Sequence, residues 1–107
     1  MSYSPATFTI PSGATQSNIF TLPPDAILAS LLVPEAITGD KLTFLGDLGN
    51  GEMTLLNFSF DLTSTTPYFK GQIVPSLQTK FLGLKRLQLK TDLAQTANVT
   101  IVGGYIF

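Results

Sequence analysis

From Lys85 to Phe107 the chain reads KRLQLKTDLAQTANVTIVGGYIF, a stretch that admits few folds. Leu87 and Leu89 alternate with Arg86, Gln88 and Lys90. That period of two suits a strand with one buried face and does not suit a helix. After the polar link Asp92 to Ala97, the run Asn98 to Phe107 is rich in β-branched and aromatic side chains, which pack well on a pleated surface. The stretch therefore predicts two β-strands joined by a short connection. The second runs to the last residue, so Tyr105, Ile106 and Phe107 are better explained if a sheet or a partner buries them than if they fray.

The rest of the chain continues in the same manner. Thr7 to Ile10 alternates, with Phe8 and Ile10 facing the core, and is closed by the turn residues Pro11-Ser12-Gly13. Asn18 to Leu22 predicts a second strand, stopped at Pro23-Pro24 because neither proline can donate to a ladder. Ala26 to Val33 is a continuous apolar run with Pro34 behind it, expected as a buried strand. Leu42 to Leu45 follows, then a loop from Gly46 to Gly51 whose three glycines and Asn-Gly pair supply the positive φ angles of a hairpin. Met53 to Phe60 returns as a strand. Beyond the polar link Asp61 to Pro67, Tyr68 to Val74 predicts a strand interrupted at Gly71, and Ser76 to Leu82 a single helical turn. With 107 residues there is room for one domain, spanning 1–107 and burying roughly 60 to 70% of the unfolded chain's surface. About eight strands, no amphipathic helix longer than two turns and no internal repeat predict an all-β, single-domain antiparallel sandwich of jelly-roll or Greek-key type.

Charge excludes several functions. Charged residues make up 12% of the chain against about 25% in a typical soluble domain, while the apolar share of 44% is ordinary. The polarity is missing from the surface, which predicts that another subunit covers part of it. A net charge of -1 supplies no basic footprint for nucleic acid and no cationic face for a membrane. The longest apolar run is far short of the about 20 residues a spanning helix needs, and the start Met-Ser-Tyr-Ser-Pro lacks the pattern of a signal peptide. The balance is uneven along the chain: residues 1–64 carry a net -5 and residues 65–107 a net +4, a difference that could orient neighbouring subunits, although strands from both halves interleave in a sandwich and a linear asymmetry need not survive folding.

The chemistry available is narrow. Cysteine and histidine are absent, so there is no disulfide, no thiolate or imidazole metal site, and no Ser-His-Asp or Cys-His machinery. A Ser-Lys dyad is compositionally available, but no serine sits in a nucleophile elbow. Asp47 with Glu52, or Asp40 with Asp61, offers two carboxylates for glycoside cleavage, although loop carboxylates are usually just solvated. The loop from Asp47 to Glu52 also holds hard oxygen donors of the kind calcium takes, but without the alternating acidic positions of a calcium loop. Turn chemistry accounts for its glycines. No enzyme activity, cofactor or metal is expected. Tryptophan is absent, and only Tyr3, Tyr68 and Tyr105 are plausible exposed rings for stacking on sugars.

The order of features resembles a group of small virion proteins of tailed bacteriophages. The residues that carry it are the apolar strand ending in Pro34, Leu42-Thr43-Phe44 before a Gly/Asn loop, Leu87-Gln88-Leu89-Lys90-Thr91, Gln95, and Thr100-Ile101-Val102. Such proteins are short jelly-roll-like chains that decorate or cement the head shell, or serve as head-fibre and tail accessories. The resemblance implies a non-enzymatic capsid decoration protein located in the virion, a homotrimer whose partner is the major capsid protein. A receptor- or glycan-binding fibre module and a neck or baseplate adaptor are the alternatives. The contacts expected are apolar strand faces and the exposed ends Tyr3 to Ile10, with Tyr3 and Phe8 foremost, and Tyr105, Ile106 and Phe107, together with Arg86 and Lys90 against acidic shell surface.

Overall fold

The structure, a computed structural model, describes residues 2–62, 70–78, 81 and 83–107. Among these, eight strands form and no α-helix: β1 (Tyr3–Ile10), β2 (Phe20–Thr21), β3 (Ile27–Leu32), β4 (Lys41–Asp47), β5 (Thr54–Asp61), β6 (Ile73–Val74), β7 (Arg86–Thr91) and β8 (Val99–Ile106). They build two four-stranded antiparallel sheets, ordered β1-β8-β3-β6 and β2-β7-β4-β5. The pairings are nested. β4 pairs with β5, β3 with β6, β2 with β7 and β1 with β8, so the chain is one long antiparallel ribbon folded at the β4–β5 hairpin. Rolling that ribbon sets β3 beside β8 and β4 beside β7, which closes the two sheets of a jelly roll.

The side chains that alternate in the sequence point between the sheets. Phe8 and Ile10 of β1, Leu28 and Leu31 of β3, Leu42 and Phe44 of β4, Leu87 and Leu89 of β7 and Ile101 of β8 are all removed from solvent. Phe44 stacks on Phe58 and meets Phe60 and Phe81 edge-on, with centroids 5.2 to 5.4 Å away, in the range aromatic pairs favour. A second row of rings, Phe8–Phe20–Tyr105–Phe107, has neighbouring centroids 5.7 to 5.8 Å apart.

Several boundaries differ from those read off the sequence. β1 begins at Tyr3, four residues before the alternating run, because Pro5 does not interrupt it. The Thr9 N–H donates to Asn18 Oδ1 while the Ser2 N–H donates across to Phe107 O, so odd residues of β1 turn their backbone groups away from β8. Pro5 is odd, and its missing N–H removes no ladder bond. β4 runs on through Gly46 and Asp47, both expected in the loop. In β3, Ala29 is an extra residue opposite β8, a bulge between Leu28 and Ser30. It shifts the alternation so that Leu28, Leu31 and Val33 point inward while Ile27, Ser30 and Leu32 point out. The expected fully buried strand is thus half exposed. β6 is shorter than expected, and Tyr68 and Phe69 lie outside the described residues, as do Thr79, Lys80 and Leu82 of the expected helical turn. Within the described part of that turn, Gln78 is 3₁₀-helical and the Phe81 N–H reaches Gln78 O at 3.4 Å.

Candidate functional site: an uncharged sheet face

The two sheets present different outer surfaces. In the first, register places Thr7, Val102, Leu32 and Ile73 in one row across β1, β8, β3 and β6. The next row holds Pro5, Gly104 and Ser30, and the third Tyr3, Ile106 and Ile27. No residue of these four strands is charged. Rows on one face of a sheet are spaced by about 6.7 Å, so the middle row, with glycine at its centre, is a trough between two apolar ridges. It holds about 470 Å³ and opens broadly to solvent. At Gly104 a Cβ would stand 2.8 Å from Ser30 Oγ, so a larger residue there would make the Ser30 hydroxyl turn aside. Gly103, on the other side, is the tighter position, because a Cβ would stand 2.9 Å from Leu28 Cδ1 and 3.0 Å from the backbone oxygen of Ser30. The ridges are well exposed, Ile73 at 66% and Leu32 and Val102 at about 40%.

The second sheet carries the charge. Lys41 and Asp47 of β4, Asp61 of β5, and Arg86 and Lys90 of β7 all belong to it. Arg86, Gln88 and Lys90 do share one face of β7, but two of them have partners within the chain. Gln88 Nε2 donates to Ser17 O at 2.7 Å, and Arg86 Nε donates to Asp47 Oδ2 at 2.7 Å. Asp47 is buried, not solvated as a loop carboxylate would be. Its Oδ1 accepts the N–H groups of Gly49 at 2.7 Å and Gly51 at 3.2 Å, folding the hairpin loop back over it. The Gly49 N–H lowers its pKa most, and the Arg86 and Gly51 contacts add to this against the opposing effect of burial. Both carboxylate oxygens are thus engaged by internal donors, and a side chain holds the hairpin loop. Among the described residues no group of three His, Cys, Asp or Glu side chains could hold a metal ion.

The seven residues singled out from the sequence do not form one site. Tyr3, 73% exposed, and Ile106 are paired in register on the uncharged face. Phe107 lies half exposed just beyond them. Phe8 is wholly buried and supports that sheet from beneath, and Tyr105 turns inward against Phe20. Arg86 and Lys90 belong to the opposite sheet. Of the three tyrosines considered for sugar stacking, Tyr3 is exposed beside the trough, Tyr105 packs on the core, and Tyr68 lies outside the described residues. At the centre of the face, Pro5 falls within the expected Tyr3 to Ile10 end, whereas Val102, Gly104, Leu32 and Ile73 are not among the residues named from the sequence. Their sequence signals are Leu31-Leu32, Ile73-Val74 and Ile101-Val102, where both faces of a strand are apolar in succession.

Comparisons with models of known families, with curated proteins and with solved structures found no match.

Proposed function

We propose that this chain is a non-enzymatic structural protein of a phage particle, a capsid decoration or cement protein that binds the head shell as a homo-oligomer. The observation that carries the reading is the separation of charge between the two sheets. A small sandwich with one outer face free of charge and its charged strand residues on the other is suited to being held between neighbours, with one surface desolvated and one wet. The jelly-roll topology agrees with the resemblance on which this reading also draws. Cementing then operates by linkage. A subunit that binds the expanded shell and not its precursor stabilises the expanded state, by about 2.7 kcal/mol when it stands at a hundred times its dissociation constant. Lys90, half-buried on the charged sheet, is the contact offered to acidic shell surface, while Arg86 is already committed to Asp47.

The test is the number of copies per purified virion, measured by mass spectrometry against the major capsid protein. A fixed, shell-like stoichiometry is the expected result. A handful of copies per particle moves the chain to the neck, tail or a fibre, and its absence from particles overturns the reading.

A further inference from the structure

The uncharged face needs an occupant. Resting on the reading of that face as a docking surface, we propose that it takes a second copy of this chain, packed sheet to sheet about a two-fold axis.

Charge is the first reason. A two-fold interface sets a patch against itself, so any charged residue near the axis meets its own sign. β1, β3, β6 and β8 contain none, which makes this face compatible with itself in a way the opposite sheet, with Lys41, Asp61 and Lys90, is not. The same contrast explains why stacking stops at two: the charged outer faces end the assembly.

Shape is the second reason. The ridge of Val102, Leu32 and Ile73 stands beside the trough over Gly104, one row apart. A rotated copy can lay its ridge in that trough, and packed sheets stand about 10 Å apart with interdigitating side chains.

Area sets the strength. β1 and β8 are eight residues each, β3 six and β6 two, so at about 3.3 Å per residue and about 4.8 Å per strand each copy offers about 380 Å² of flat face. The pair covers about 760 Å², short of the about 1,000 Å² of a tight interface, so the pairing is weak and depends on concentration. Edge-to-edge joining at β1 is blocked by contrast, since Pro5 offers no N–H there and Asn18 already bonds Thr9 N–H and Thr7 O. A face that packs on itself makes pairs, so the unit is a dimer where the resemblance implies a trimer.

Sedimentation velocity on the full chain tests this. Val102→Glu and Val102→Lys each place a charge on the exposed ridge, where a monomer keeps it in water, and Thr7→Lys in the same row serves if either fails to fold. The wild type is expected to become a dimer as its concentration is raised. Each single variant, with an unchanged circular dichroism spectrum, is expected to associate at least about tenfold more weakly. An equimolar mixture of the Glu and Lys variants is expected to regain the dimer, because opposite charges then face each other. A wild type that stays monomeric as its concentration is raised, a trimeric wild type, or variants that dimerise as before, overturns the proposal. The two readings fail separately: a dimer absent from virions sinks the virion function and leaves the pairing, whereas a monomer incorporated into virions sinks the pairing and assigns the face to the shell.

Discussion

Gln95 shows how one residue holds three connections together. Buried in the link between β7 and β8, it accepts the Thr38 N–H at its Oε1 at 2.8 Å, and its Nε2 donates to Thr38 O at 2.7 Å and Thr91 Oγ1 at 3.0 Å. Its own backbone pairs with the loop after β1, donating to Ala14 O and accepting from the Gly13 N–H. Thr38 belongs to the connection between β3 and β4, so the side chain and backbone of this one residue together tie three loops at the same end of the sandwich. Gln95→Ala leaves both backbone groups of Thr38 without this partner. Unfolding in urea is expected to show a loss of about 2 to 4 kcal/mol, more than a surface substitution produces, because an orphaned buried donor alone costs about 1 to 3 kcal/mol.

At the level of the element, β1 is an edge strand whose outward backbone groups are concealed. Asn18 imitates a neighbouring strand: its Oδ1 accepts from Thr9 N–H, its Nδ2 donates to Thr7 O, and its own N–H donates to Thr9 O. Pro5 removes one further edge donor. These are the devices by which sheet proteins avoid pairing with copies of themselves. Asn18→Ala is expected to lower stability by about 1 to 2 kcal/mol in urea titration and, more tellingly, to raise light scattering on warming below the unfolding midpoint. Scattering identical to the wild type would mean that the edge is protected by something else.

Across the whole molecule, two aspartates fasten opposite ends of β4. Asp47 holds the hairpin loop and Arg86 at one end. At the other, Asp92 Oδ1 accepts the N–H groups of Asp40 at 2.8 Å and Lys41 at 3.1 Å. Burial raises the pKa of Asp92, but the Lys41 and Asp40 N–H groups and those of Asp92 and Leu93 outweigh it, so this carboxyl too is held below its ordinary value. Both groups titrate lower in the folded chain than the about 3.9 of an unfolded aspartate. Their contribution to stability is therefore complete above that pH and is lost as pH falls through the folded values. With no histidine in the chain, the urea midpoint is expected to stay level from about pH 5 to 8 and to fall below about pH 4. Asp47→Asn is expected to make the acid decline shallower. An unchanged slope would show that the hairpin carboxylate does not couple to folding.

The sequence by itself determined the class of fold and most of the core. Alternation at Leu87 and Leu89, or at Phe8 and Ile10, is a local property: the pleat sends successive side chains to opposite faces whatever the neighbours are. Proline and glycine mark turns equally locally, as where Asp25 and Ser76 take positive φ directly after Pro24 and Pro75. The surface was not legible in this way. An unequal charge between residues 1–64 and 65–107 reads as a polarity along the chain, yet the roll sets β1 beside β8 and β4 beside β7, mixing the two halves in both sheets. A bulge at Ala29 moved Leu32 to the outside, and the loop folding over Asp47 made a structural anchor of a carboxylate expected in water. Only tertiary structure decided that the uncharged strands share one sheet. Sheet membership depends on pairings between residues as far apart as Tyr3 and Ile106, and no local pattern records which distant strand supplies the partner.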